Sequence, residues 1–533
     1  MAVALAALTW LPACSFFSPN PGNTFYISAS GNNGAAGNSP STAWRTLSRA
    51  NSAKLKPGER LLLRGGDTFR GQLRFGPHDA GNPRKPLTIG SYGHGAATIV
   101  GSAESAVVVF DTSGVDIANL ALVGTRASGT GSAGIKLFSD QPAHHRLRHV
   151  VIRNVNASGF GYGISLGARN PAAGFANVQI SHSALHNNLD AGLATSGPPF
   201  HRAAPSYAHA GIRIDHVSAV SNTGDPADTT SNTGSGIVLG NVSNAAVTWS
   251  TAAGNGGANA TPFEGPIGMW AYASSGIVMQ HDLSYGNRTA SRRDGGGFGL
   301  DENTTNSYLQ YDLAYGNDGA GFQVYAPNGA KNTGDVVRYD ISSGDALRTI
   351  NAAGIIVSGR VTGAQVYQNT VIMGPRPGGT RHSALWLGKI RRVTVRNNLF
   401  AVDHFGPIVI ALHNMPRSSA LLQGNDYYST VHHWQLLWGL GSSYATLRAW
   451  RQATGQERTA GRATGLAVNP HLTGPVLGLS ASDAGIAAGF IPASGSPLVR
   501  AGLNLPRLFG VNPGPVSYSG KPQSLSAPNI GAG

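Results

Sequence analysis

Short apolar runs alternate with polar residues along most of this chain, and the alternation recurs at a steady interval. The segments IVMQHDLSYGN (277–287), SYLQYDLAYGN (307–317), VVRYDISSGD (336–345), AQVYQNTVI (364–372) and VTVRNNLF (393–400) align with one another. Their polar residues Asp282, Asp312, Asp340, Asn369 and Asn398 fall 30, 28, 29 and 29 residues apart. Upstream, IRIDHVSAVSN (212–222) and AVTWSTAAGN (246–255) extend the series, with Asn222, Asn255, Asn287 and Asn317 in one shared place. A period of about thirty residues, rich in β-branched runs and poor in helical pattern, predicts stacked turns of short parallel strands. The recurring Asn and Asp residues are expected at the corners of those turns, because Asn tolerates left-handed backbone.

A second strand in each turn opens on a small residue: GISLG (163–167), GLATS (192–196), GIVLG (236–240), GMWAY (268–272), GFGLD (297–301), GFQVY (321–325), GIIVS (354–358), ALWLG (384–388) and PIVIA (407–411). Strand side chains alternate faces, so the second and fourth positions point inward and the third and fifth outward. Most outward pairs are small or aliphatic, down to Val409 and Ala411 in the last strand; the middle ones are Trp270 and Tyr272, Gly299 and Asp301, Gln323 and Tyr325. With turns stacked roughly 4.8 Å apart, Tyr272, Asp301 and Tyr325 form one outward column with Trp270 beside it, and Trp386 lies about four turns, roughly 19 Å, from Trp270. Gly299, between Trp270 and Gln323, is expected to leave room for a ligand beside Asp301. Aromatic rings and one carboxylate on an open sheet suit the faces and hydroxyls of sugars.

Composition sharpens this picture. With 73 glycines and only 12% charged residues, the chain is built of tight turns, which disfavours a helical bundle and a charge-solvated disordered chain. The net charge of +14 points to an anionic partner. Arg288, Arg292, Arg293, Lys331 and Arg338 surround the middle turns and suit uronate, sulfate or pyruvate groups held by paired hydrogen bonds. Nucleic acid, which the charge also permits, is set aside because the aromatics sit on an exported β-structure. His281 reads as structural, no Cys/His metal spacing exists, and the glycine-rich GNGGANA and GSGIVLGN do not join a strand to a helix as phosphate loops do.

Residues 1–13 form an apolar run too short to span a bilayer and read as an export signal. Cys14, the single cysteine, follows Leu-Pro-Ala as in a bacterial lipoprotein cleavage box, so a lipid on Cys14 is the expected membrane link. The protein is then a cell-envelope lipoprotein of the outer membrane or periplasm, or a secreted protein. Residues 14–23 read as a linker, 24–430 as the coil and 431–533 as an irregular C-terminal segment with a short helix.

At these residues the chain resembles the exported right-handed parallel β-helix proteins related to polysaccharide lyases and glycoside hydrolases. FYISASGNNGAAGNSPSTAWRTLSRAN with LKPGERLLLRGGDTFRGQL resembles their opening, in which a short helix (about 43–53) caps the first coil. DGGGFGLDENTTNS resembles the distinctive stretch of one branch, and YATLRAWRQATGQE, NPHL, SGSPLVRAG and PNIGAG resemble the trailing segment. The resemblance implies an all-β fold: a single right-handed parallel β-helix of about ten to twelve coils. That branch carries Gly-Phe-Asp-x-Asp, whereas Gly299 stands here in place of the first acid.

Two reactions follow from the same residues. Hydrolysis uses two carboxyl groups about 5–5.5 Å or about 6.5–9.5 Å apart; Asp301 is the central one, and Asp294, Asp318 and Glu302 are candidates for the second. Elimination on a uronate needs a base, for which Lys331, Tyr272 and Tyr325 are eligible, with calcium or arginine neutralising the carboxylate. No dense acidic cluster for calcium is visible, so no cofactor is expected for hydrolysis. Trp270, Tyr272, Gln323, Tyr325, Trp386, Arg292, Arg293 and Lys331 are the expected contacts of a polysaccharide, most simply an anionic one, bound by a monomer. A surface protein that binds glycan without cleaving it is the third reading.

Overall fold

In a computed structural model the chain is described over residues 23–533, apart from 102–103, 127–130, 350–351, 376–381, 404–405, 413–414, 432–433, 440–441 and 474–488. Cys14 and the expected export signal lie outside the described residues. The coil begins at Thr24–Ile27, which pairs in parallel with Arg60–Arg64, and winds into one right-handed parallel β-helix of about twelve turns. Two of its walls merge into a 25-stranded sheet, because long strands such as Leu147–Ser158 pair with both Phe175–Ser181 and Ala184–His186. The third wall is a separate 14-stranded sheet, parallel except for its last pair.

That third sheet holds the glycine-led strands. We number nine of them: β1 (Tyr162–Ala168), β2 (Ala191–Ser196), β3 (Ser235–Gly240), β4 (Ile267–Tyr272), β5 (Gly296–Leu300), β6 (Phe322–Ala326), β7 (Ala353–Gly359), β8 (Ser383–Gly388) and β9 (Gly406–Ala411). Their register is continuous from Trp270 through Gly299, Gln323 and Ile356 to Trp386. The inward positions make the core; Phe298 and Phe322 stack at 5.1 Å and are fully buried. One expected register fails. Ile410, not Val409, pairs beside Trp386, so Val409 and Ala411 face inward and are buried. Every residue of Ile408–Ala411 is apolar, so the alternation in PIVIA carries no information about face.

The recurrent Asn and Asp residues are structural, but for a different reason from the one expected. The left-handed corner is taken by the residue before each of them: Ser221, Gly254, Gly286 and Gly316 have φ of 55° to 62°. Asn222, Asn255, Asn287 and Asn317 themselves turn inward, and each side-chain amide donates to the next at 2.8–3.0 Å, ending on Asp345. This ladder explains the leading glycines. A Cβ on Gly297 would lie 3.1 Å from the Asn317 amide nitrogen and 2.7 Å from the Gly321 carbonyl oxygen. A second ladder runs through Asp282, Asp312, Asp340, Asn369 and Asn398, each accepting the backbone N–H of its predecessor. His281, the corner residue beside it, stacks between Trp249 and Tyr311 on the outer wall, a structural place.

The carboxyls of this interior set a pH dependence. Burial raises Asp282, Asp312 and Asp340 well above the ordinary range, and raises Asp335, Asp345 and Asp426 to about 7. Each binds its proton more tightly folded than unfolded. Its stabilising contribution is therefore complete below the unfolded pKa, about 3.9, and is lost as pH rises through the folded value. The urea midpoint should accordingly rise as pH falls from 8 to 5, by on the order of several kcal/mol in stability. A midpoint that is flat or falls over that window would mean these side chains are solvated.

The ends are closed by small elements. Helix Leu47–Asn51, shorter than expected because Trp44 pairs with Ile27 and Thr46 caps the first turn, buries Leu47 and Ala50 under the first coil. Parallel pairing continues to Trp434–Trp438, a few residues beyond 430. Helix Leu447–Thr454 then buries Trp450, and the trailing chain is fastened to the wall by Asn397 to the Leu503 carbonyl (2.9 Å) and Arg338 to the Pro513 carbonyl (3.0 Å). Arg338 thus serves this seam rather than the face that carries Asp301.

Candidate functional site

The outer face of the third sheet carries the groove, and the ends of β4, β5 and β6 build its middle. Strand β5 stops at Leu300, so Asp301 stands at the start of a turn. Its N–H still donates to the Ala271 carbonyl at 2.8 Å, which keeps it in line with Tyr272 and Tyr325, and its carboxylate accepts the Glu302 N–H at 2.8 Å. Because the strand ends there, Glu302 is free of the alternation and also reaches the groove.

Two cavities lie to either side of Asp301, which itself lines neither and stands between their walls, Tyr272 and Glu302 on one side and Tyr325 and Asp294 on the other. Toward the C-terminal turns, a volume of about 390 Å³ is lined by Arg293, Asp294, Gln323, Tyr325, Trp386 and Lys389 among others. Toward the N-terminal turns, one of about 640 Å³ is lined by Tyr162, Asp190, Glu264, Trp270, Tyr272 and Glu302 among others. Both sizes fall within the usual range for small-ligand sites.

The acids of this groove act on one another. Burial raises the Asp301 carboxyl well above the usual range, and the charges of Asp294, Glu302 and Glu264 raise it further. Burial raises Asp294 to about 6, while the Gly265 N–H, donated at 3.0 Å, and a hydrogen bond from Gln323 hold its ionised form. Neighbouring carboxyls whose surroundings push their proton affinities apart are what acid/base pairs are made of. The phenol of Tyr325 is raised by burial and then by Asp301 and Asp294, and that of Tyr272 by burial and then by Glu302 and Asp190.

Several expected contacts stand elsewhere or stand differently. Asp318 is buried and engaged by Arg288 at 3.2 Å and by the Thr289 N–H, so it braces a corner and lines neither cavity. Arg292 and Lys331 are exposed side chains that also line neither cavity, whereas Arg293 does line one. Trp386 is only 9% exposed and packs with Ala353 and Ile410, so it offers the groove an edge. Trp270 donates its indole N–H to Ser235 at 3.1 Å and lies 5.3 Å from the Tyr272 ring, which leans back over Gly240.

The expected gap at Gly299 is closed. A Cβ there would come within 3.1 Å of Ile267 Cδ1 and 3.2 Å of Trp270 Cβ, because Ile267 at the head of β4 folds over the same face. Gly299→Ala should therefore lower stability by about 1 kcal/mol through crowding, read from the urea midpoint. An unchanged midpoint would show that the space is open after all.

Sequence reading missed Glu264, Asp190, Asp228, Lys389 and Phe263, a ring 79% exposed at the groove's rim. Asp190 and Glu264 do share a trace: each stands within three residues of the strand it precedes, as Asp294 does within two of β5.

No family model matches the chain, and no curated protein matches it in sequence. Solved structures align with it at TM-scores below 0.5. A lacto-N-biosidase of glycoside hydrolase family 136 from Eubacterium ramulus aligns with a TM-score of 0.47 at 14% identity, over 75% of this chain and 67% of that one. The pectate lyase Pel9A aligns at 0.40 and 15% identity over 96% of each, and a family 6 alginate lyase at 0.44 and 15% over 71% of this chain and 50% of that one.

Proposed function

We propose that this protein is a glycoside hydrolase that cleaves an extracellular polysaccharide bound along the outer face of β3 to β8. The observation that carries this reading is the cluster of mutually acting carboxyls, Asp301, Asp294, Glu264 and Glu302, set between Trp270 and Tyr272 on one side and Tyr325 on the other. Asp301, whose carboxyl burial raises well above the usual range, gives its proton to the glycosidic oxygen as the bond breaks. Asp294, held ionised by Gly265 and Gln323, faces the positive charge that develops on the anomeric carbon, directly or through a water. Arg293 and Lys389 on the C-terminal side suit an acidic sugar unit there. Export, with a lipid on Cys14, brings the protein to such a substrate.

Elimination is the weaker reading on physical grounds. A phenolate base at Tyr325 or Tyr272 is opposed by the surrounding acids, and Lys331 stands off the groove. The test is to incubate the protein with a panel of acidic and neutral polysaccharides and follow reducing ends together with ultraviolet absorbance. Hydrolysis gives new reducing ends and no absorbance. An absorbing, unsaturated product identifies a lyase and overturns the proposal, and binding without either signal identifies a glycan-binding protein.

A further inference from the structure

We infer that the N-terminal cavity of the groove takes a sugar unit bearing a protonated amine, an unacetylated amino sugar, next to the bond that Asp301 addresses. This rests on the hydrolase reading and names its substrate class more closely. The chain as a whole carries +14, yet among the described residues this cavity is lined by four carboxyls, Asp190, Asp228, Glu264 and Glu302, against the one ammonium of Lys136. The C-terminal cavity has the reverse balance, Arg293 and Lys389 against Asp294. The groove is therefore electrically polar along the direction in which a polysaccharide would lie.

Three further observations point to an organic cation in the acidic half. Asp190 is wedged beside Tyr162, whose hydroxyl hydrogen-bonds it, and burial with the charges of Asp228 and Asp225 raises its carboxyl to about 7. Gathered carboxyls of that kind are stabilised by a positive charge, which hydroxyl groups of a neutral sugar do not supply. The side-chain carbonyl of Asn232, on the same lining, is buried with no donor among the described residues, an acceptor left for an incoming N–H or O–H. A metal ion is a poor fit: among the described residues, the trio of ligand atoms lying within 4.8 Å of one another belongs to His182, Asp215 and His216, away from this cavity. The groove acids are instead spread around a space that Trp270 and Tyr272 floor with aromatic surface, the arrangement for an ammonium carried on a sugar ring.

Calorimetric titration of the Asp301→Asn protein, which should bind without turning over, tests this with three probes: glucosamine oligomers, their N-acetylated counterparts and oligogalacturonate. The glucosamine oligomers should bind at least tenfold more tightly than the N-acetylated ones, and Asp190→Asn/Asp228→Asn should erase that preference while leaving the folded spectrum intact. Equal or tighter binding of the N-acetylated or uronate probe, or a preference that survives the double substitution, overturns the inference. Wild-type cleavage of a glycan without regard to its amines would overturn this inference alone. Absence of both binding and cleavage across all three probes and the polysaccharide panel would overturn the hydrolase reading with it.

Discussion

Asp301→Asn should lower kcat/KM on a cleavable polysaccharide by on the order of a thousandfold, the usual worth of a positioned general acid, with little change in fold. The amide keeps the shape and the Glu302 N–H contact but has no proton to deliver to the leaving oxygen. The pH profile should report the same pair. With Asp294 titrating at about 6, activity should fall on the acid side as that carboxylate is neutralised, and on the alkaline side as Asp301 loses its proton. Asp294→Asn should remove the acid limb along with most of the rate. A variant at Asp301 that keeps full activity would place the chemistry elsewhere, with Asp190 the next carboxyl to test.

The second large effect is on folding. Asn317→Leu removes four hydrogen bonds in a buried interior: two accepted from Asn287, and two given to the Ser284 carbonyl and to Asp345. The leucine would also sit against Gly297, where even an added Cβ comes within 3.1 Å of the present amide. Leaving several buried groups unpaired should lower stability by roughly 3 to 5 kcal/mol, measured as a fall in the urea midpoint. Each turn pairs only with its neighbours, so the loss should open the turns around β5 first, seen as faster amide exchange at Leu300 and Phe322. A loss below about 1 kcal/mol would mean that water or a shifted ladder replaces the asparagine.

What could be read in advance follows from where the period comes from. The glycine-led strands were legible because two constraints recur: an apolar pair faces the core in turn after turn, and from Gly163 to Gly297 a glycine makes way for the ladder amide, as at Gly268 and Gly297. The same repeat misled at the corners, since Asn287 and Gly286 are adjacent and pattern alone does not say which of them turns left-handed. It misled again at PIVIA, where every position is apolar. Asp301 was legible because it breaks the outward pattern of small and aliphatic residues. Glu264, Asp190 and Asp228 were not: Asp190 and Glu264 show only a short spacing to the strand that follows, Asp228 stands in a loop that obeys no period, and their gathering around one cavity arises only when the turns stack. Gly299 shows the limit of reading a missing side chain as free space: the neighbouring turn had already filled it with Ile267.

The chemistry of the cut ends decides most directly whether Asp301 catalyses hydrolysis. The protein should be incubated with its polysaccharide in water labelled with heavy oxygen, and the released oligosaccharides weighed by mass spectrometry beside those from the Asp301→Asn variant. Hydrolysis at Asp301 should give fragments that carry one labelled oxygen at the new reducing end, with none released by the variant. Unlabelled fragments ending in a double bond, or labelled fragments made equally well by the variant, would contradict it.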